Sequence, residues 1–471
     1  MPQKLVLHPD RLFSSDERQR VVARGLYQRV KDLPIISPHG HTDPAWFSEN
    51  TPFENASELL IKPDHYVYRM LYSQGIALED LGVPSADGTE VESDGRKIWH
   101  LFANNYHLYR GTPSRLWLNT VFVEVFGFDE VLCVENADYY YDTINAALAT
   151  EAFRPRALFE RFNIEVLSTT ESPLNNLAHH KSIADSDWQG RVISAYRPDS
   201  VVDPEFEGFI DAVREFGELT GEDTSTYTGY LQAHRFRRAY FKSTGVTSAD
   251  HGHPTARTAD LPKAEIEALY ALALSGETSP EQAELFRAHM LTEMAGMSVE
   301  DGLVMQLHPG SSRNHNAPLF ERFGRDKGAD IPMQTSYVDQ LKPLLDKYGT
   351  SPDLTLILFT LDETAYSREL APLAGHYPCL RLGPPWWFHD SPEGMRRFRQ
   401  QMTETAGFYN TVGFNDDTRA FLSIPARHDV ARRMDCNWLA ELVCDHRLDL
   451  EEAQELAAEL AYTLAKKAYK L

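Results

Sequence analysis

Cysteine is scarce in this chain and positive charge is outnumbered. The four cysteines, Cys133, Cys379, Cys436 and Cys444, stand among 471 residues without Cys-x-x-Cys spacing. That excludes a disulfide framework and a thiolate metal site, and leaves free thiols in a reducing compartment as the expectation. Lys and Arg together number 46 against 69 Asp and Glu, a formal net charge of -23, which argues against general affinity for nucleic acid or an anionic membrane. No window approaches the ~18 apolar residues of a membrane span, and the opening MPQKLVLHPDRLF has no apolar stretch of signal-peptide length; a cytoplasmic location is expected. Walker A and GxGxxG loops are also missing, so a nucleotide or flavin cofactor has no support.

What the chain does have is 42% hydrophobic residues, enough for a large core. Short apolar runs recur at 33–38, 164–170, 191–197, 245–250, 303–308, 354–361, 378–383 and 409–414. They are apolar nearly throughout, as expected of strands buried on both faces. Helix-like stretches at 205–216, 226–242, 264–297, 336–348, 366–374 and 392–407 separate most of them, so strand and helix alternate as in a parallel sheet built from βαβ units. Eight such units predict a distorted (β/α)8 TIM-type barrel; an open doubly wound sheet would give a similar pattern, and only the count separates the two. About 120 residues lie between the first two runs, too many for a βα loop. Helix formers and aromatics fill them, which predicts a helical subdomain over 50–160, inserted between 1–49 (the first strand and what precedes it) and 161–471 (the rest of the barrel). The ending LDLEEAQELAAELAYTLAKKAYKL reads as an amphipathic helix.

Barrel enzymes carry their chemistry where the strands end. The first run ends in His39 and His41, which share a face of an extended segment; the third in Tyr196, Arg197 and Asp199; the fourth in Asp250, His251 and His253. The fifth ends in His308 and leads to Arg313, Asn314 and His315, the seventh reaches Trp386 and Trp387, and the eighth ends in Asp416, Asp417 and Arg419. If the barrel closes, His39, His41 and Asp417 come together as an open coordination sphere for one divalent ion; the bland alternative is a set of separate polar loop residues. Arg197, Arg313 and Arg419 would converge on an anion, or each could pair with a neighbouring acid. The tryptophans could wall off water or stack on a sugar, although one of them could equally be core. Asp250 and Tyr66 are both candidates for proton transfer, with a helix cap the competing role for Asp250.

These residues, in order, resemble the uronate isomerase family, a divergent branch of the amidohydrolase superfamily. The shared segments are His-x-His at 39 and 41, DHYVYR at 64–69, YRPD at 196–199, DHG at 250–252, HPGSSRNHN at 308–316, WWFHD at 386–390 and DDTRAFLSIPARHD at 416–429. The wording departs from the commoner family pattern, with HGHTDP for HCHLSP, HPG for HIG and NDDTR for LTDSR, yet the functional residue types persist. The resemblance implies interconversion of D-glucuronate with D-fructuronate and of D-galacturonate with D-tagaturonate, through a cis-enediol. It places the metal ligands at His39, His41 and Asp417, with zinc the expected ion. Substrate contacts or catalytic groups fall on His65, Tyr66, Arg197, Asp250, His308, Arg313, Trp386, Asp417 and Arg419. A small-molecule hexuronate is the expected partner, and a homo-oligomer the expected assembly. Binuclear hydrolases of the superfamily take a bridging Lys from the fourth strand and a His from the sixth; Asp250 and the Leu361–Asp362 pair stand there instead. A mononuclear metallohydrolase acting on a lactone or amide is the rival enzyme, and a barrel that only binds sugar acids the rival outside catalysis.

Overall fold

The computed structural model describes residues 3–471. Among the described residues nine strands occur in chain order: β1 (Ile35–Ser37), β2 (Ile164–Glu171), β3 (Arg191–Tyr196), β4 (Ser248–His251), β5 (Val304–Leu307), β6 (Ser311–Ser312), β7 (Ile331–Pro332), β8 (Leu356–Leu358) and β9 (Leu380–Leu382). Seven of them form one curled parallel sheet in the order β1-β2-β3-β4-β5-β8-β9, and β6 and β7 make a separate antiparallel pair. Helices cover the sheet, and β1, β4, β5 and β8 are buried along their whole length; β8 is wholly apolar, as burial on both faces favours, whereas β4 (SADH) buries polar side chains that serve the site.

The eighth run departs from expectation. Residues 409–414 form no strand; they contribute one parallel bridge, Thr411 to Leu382. The reason is local, because Gly413 has φ +76° and turns the backbone out of the extended region before a ladder can propagate. The mouth is nevertheless tied across the gap, where His41 N–H donates to the Thr418 carbonyl at 3.0 Å. The architecture is therefore a distorted (β/α)8-type barrel whose eighth position is a bridge.

Helix boundaries also differ. The stretch 264–297 is two helices, Lys263–Ser275 and Pro280–Asp301, because Gly276 ends the first in the left-handed conformation and Ser279 caps the second with proline following. Gly208, at φ +79°, delays the helix expected from 205 until Phe209–Thr220. In 336–348 only Lys342–Tyr348 is helical. Two long helices went unread: Glu17–Val30 and Ile424–Cys444 pack together through Leu26, Val30, Cys436 and Leu439. From the second, Arg432 donates to the carbonyls of Lys31, Leu33 and Pro34 at 2.9–3.0 Å, fixing the chain as it enters β1.

Between β1 and β2 the chain folds into helices, among them Gly95–Asn104, Pro113–Thr120 and Ala137–Leu148. Their aromatic interior, with Trp99, Phe102, Tyr106 and Phe122, is continuous with Ile35, Ile164, Leu167 and Phe421 of the barrel side. The helix His65–Tyr72 starts at Asp64, whose carboxylate accepts the Tyr66 N–H at 2.9 Å; His65 and Tyr66 thus occupy its first turn. Among the described residues all four cysteines are free, and no helix is long and apolar enough to cross a membrane.

Candidate active site

A cavity of about 510 Å³ opens where the strands of the parallel sheet end. His39, His41, His65, Tyr66, Arg197, His308, Arg313, Trp386, Asp417 and Arg419 all line it. Asp250 does not: it is fully buried behind two of the lining side chains. Arg197 donates to its Oδ2 at 3.0 Å, and His308 Nδ1 lies 2.6 Å from its Oδ1. Burial alone would raise the Asp250 carboxyl, but Arg197, His308 and His39 outweigh it and hold the group well below the usual carboxylate range. The helix-cap alternative for Asp250 falls away, since both oxygens face side chains.

The resulting pair has one consequence for proton chemistry. With Nδ1 against a carboxylate, the N–H of His308 belongs there, and in the neutral ring this leaves Nε2 as the acceptor. That Nε2 is buried and has no protein partner. The ring stacks on Phe359 at 3.9 Å and on His39 at 4.8 Å, and meets the edge of Trp386 at 4.8 Å, so its orientation is fixed by packing. Tyr66 is pushed well above the ordinary phenol value by burial, only partly offset by Arg427, and therefore stays protonated. Arg427 lies over Trp117 at 3.6 Å and Tyr66 at 5.3 Å while its Nη1 holds Asp390 at 2.6 Å. It positions the phenol.

The metal-ligand expectation can be tested on geometry. His39 Nε2 is 3.5 Å and His41 Nε2 3.1 Å from Asp417 Oδ1, and the three donor atoms lie within 4.8 Å of one another. His39 is lowered to about 4 by burial, against the opposing pull of Asp417 and Asp250, so its imidazole is neutral and able to ligate. Asp417 stays far below the usual range, because His39 and His41 overcome the effect of burial. Its backbone sits at φ +36°, a left-handed value that non-glycine residues adopt at some cost. Two imidazoles and a carboxylate fit a divalent cation. His39, Asp250 and His308 also fall within 4.8 Å of one another, but N–H donors already occupy both Asp250 oxygens, and that second trio suits a cation less.

Each arginine has an acid partner and still faces the cavity. Arg197 Nε donates to Asp199 at 2.8 Å, Arg313 Nη1 to Asp330 at 3.3 Å, and Arg419 Nη2 to Asp326 at 3.0 Å. Ion pairing and convergence, the two alternatives read from the sequence, hold together. Gly252 makes the convergence possible: a Cβ there would stand 2.1 Å from Arg197 Nη2, 2.8 Å from Asp199 Oδ2 and 2.9 Å from Arg313 Nη2. Gly252→Ala is expected to push Arg197 off Asp250 and lower kcat/KM about 10²-fold, the scale of an ångström misplacement. Unchanged steady-state kinetics would show that the guanidinium moves aside freely.

Sequence reasoning missed the acidic and basic loop between β6 and β7, where Arg325, Asp326 and Asp330 line the same cavity. The only available signal was the charged, glycine-flanked GRDKGAD, which looks like any solvated turn.

Comparison with known proteins agrees with this geometry. The sequence profile described as glucuronate isomerase matches residues 14–469. A protein named uronate isomerase from Sphingopyxis alaskensis is 66% identical over 475 aligned positions, covering 100% of both chains. The crystal structure of glucuronate isomerase from Caulobacter crescentus superimposes with a TM-score of 0.98 at 63% identity, over 99% of this chain and 98% of that one. The uronate isomerase of Thermotoga maritima does so with a TM-score of 0.91 at 27% identity, over 98% and 99%. Similarity of this extent, running through every strand end that lines the cavity, means that the chain belongs to the glucuronate isomerase family.

Proposed function

We propose that the enzyme interconverts D-glucuronate with D-fructuronate, and D-galacturonate with D-tagaturonate, with the Asp250–His308 pair carrying a proton between C2 and C1. Family membership makes it an aldose–ketose isomerase. The observation that carries the mechanism is the unpartnered Nε2 of His308, backed by a fully buried carboxylate.

The open-chain aldehyde must lose a proton from C2, pass through an enediol, and gain a proton at C1, while the O2 hydrogen moves to O1. Asp250 is a poor choice for the first step: its oxygens are taken and its basicity is suppressed. Its role is to hold the His308 tautomer, as the carboxylate does in a Ser-His-Asp triad. His308 Nε2 then takes the C2 proton and returns it to C1 on the same face. Tyr66, protonated throughout, donates toward the carbonyl oxygen as charge develops. His65 is lowered to about 3 by burial and by Arg419, and so serves as a neutral hydrogen-bonding partner. Arg197, Arg313 and Arg419 face the C6 carboxylate and the enediolate oxygens. Trp386 and Trp387 close one wall and keep water from the enediol. A divalent ion held by His39, His41 and Asp417, zinc being well suited to this donor set, would supply Lewis-acid polarisation of a substrate oxygen.

The inserted helices at 50–160 bring His65 and Tyr66 to the cavity, so we read that segment as the roof of the site. Four free thiols suit a cytoplasmic setting. Lactone or amide hydrolysis is the weaker reading, because the relatives carry isomerase names. The direct test is to follow ketose by NMR after mixing the enzyme with each uronate in D2O. Ketose whose C1 keeps protium carried over from C2 is expected; no ketose from either epimer at high enzyme concentration would overturn the assignment.

A further inference from the structure

Four arginines line the cavity, Arg197, Arg313, Arg325 and Arg419; of the three that pair with a carboxylate, Arg419 is the one whose Nε is buried with no partner. Arg197 bridges Asp199 and Asp250 through two nitrogens, and Arg313 faces an Asp330 whose other oxygen is held by the Asn314 N–H at 2.7 Å. Arg419 meets a carboxylate through Nη2 alone, at Asp326, while its Nε is buried with no partner. A guanidinium edge offers Nε and Nη2 as a matched fork for both oxygens of one carboxylate. Asp326 uses half of that fork.

Asp326 is an unusual occupant. It comes from the β6–β7 loop, its backbone lies at φ +61°, and the Tyr68 hydroxyl donates to its carbonyl at 2.8 Å. The loop is pinned further by Gly328 against Arg69 and His65, and by the His315 N–H on the Ala329 carbonyl at 3.0 Å. The backbone is thus held, while the side chain is half-exposed and tied only through its contact with Arg419. Partial burial would raise the carboxyl, but Arg419, Arg313, Arg197 and His41 bring it down to about 2; the group is an anion at any working pH, set in a cluster of cations that face the cavity.

We propose that Asp326 is a placeholder for the substrate's carboxylate: it occupies Arg419 in the free enzyme and is displaced when a sugar acid binds both nitrogens of the fork. The inference rests on the uronate reading of the site. Asp326 is a positioning residue here, since it leaves the site before the substrate reacts. It keeps the guanidinium oriented and compensated when the cavity is empty, and every binding event must break one charge-assisted hydrogen bond.

The sign of this effect separates it from ordinary contacts. Removing a residue that touches substrate weakens binding, whereas removing a competitor strengthens it. Asp326→Asn and Asp326→Gly both tolerate the left-handed backbone, so neither is expected to disturb the loop. Calorimetry with D-glucarate, which has the C6 carboxylate but no aldehyde to isomerise, should show Kd falling about three- to tenfold in both variants, tenfold being about 1.4 kcal/mol. KM for D-glucuronate should fall in parallel, with kcat within about twofold of the parent. Unchanged or weaker glucarate binding would overturn the proposal, and so would a raised KM or a lost kcat, which would make Asp326 a substrate contact. The two arms separate the two readings. Tighter glucarate binding in an enzyme that never forms ketose would remove the isomerase assignment and keep the placeholder; normal turnover with unshifted KM and Kd would do the reverse.

Discussion

Asp250→Asn is expected to slow turnover about 10³- to 10⁴-fold with little change in KM, the scale seen when a triad carboxylate becomes an amide. An amide offers one acceptor and one donor where the carboxylate offers two acceptors. Between Arg197 and His308 it cannot satisfy both. If the amide oxygen turns to Arg197, its NH2 faces His308 Nδ1, the imidazole proton shifts to Nε2, and the proposed base becomes a donor. Stability should fall as well, by about 3–5 kcal/mol for a broken buried pair, toward the lower end because Arg197 keeps Asp199. The pH dependence has a definite sign. The carboxyl is held well below its ordinary value of 3.8 in the folded state, so its stabilisation is complete above that value and is lost as pH falls through the folded one. The gap in Tm between parent and variant should be flat above about pH 5 and shrink in stronger acid. Full turnover in the variant would remove Asp250 and, with it, the tautomer argument for His308.

Asp417→Asn is the second large expected effect. The position already has a left-handed backbone, which asparagine accepts as readily as aspartate, so the fold should survive. The proposed ligand set would lose its anion, and His39 and His41 would lose the carboxylate 3.1–3.5 Å away. Metal content measured by mass spectrometry should drop to about a tenth of the parent's, with affinity down more than the 10- to 100-fold typical of a disturbed outer shell. Turnover should fall at least about 10²-fold. An Asp417→Asn enzyme that keeps its full complement of metal would sink the proposed ligand set; lost turnover with retained metal would show that Asp417 acts on the substrate itself.

Seven of the eight runs became strands of the parallel sheet, because short apolar stretches closed by polar residues mark strands that are buried for most of their length. The eighth did not, because hydrophobicity carries no record of φ at Gly413. The helix Ile424–Cys444 escaped notice for a different reason: its buried face carries Arg427, His428, Arg432 and Arg433. Asp390, Asp416, Asp429 and backbone carbonyls compensate these charges, and charges so compensated erase the apolar periodicity that marks a helix.

Which residue types stand at the strand ends, and hence the family and the class of chemistry, was written in the order of the amino acids: His39 and His41 early, Asp417 and Arg419 late, arginines and an aspartate between. Only the tertiary structure decided which atoms of those side chains are spent. It put Asp250 behind the cavity wall, left Nε2 of His308 bare, and brought the unremarkable Asp326 to Arg419. The reason is physical. Residue type is a local property, but basicity, charge and availability are set by burial and by partners reached across long stretches of chain, such as the 58 positions between Asp250 and His308.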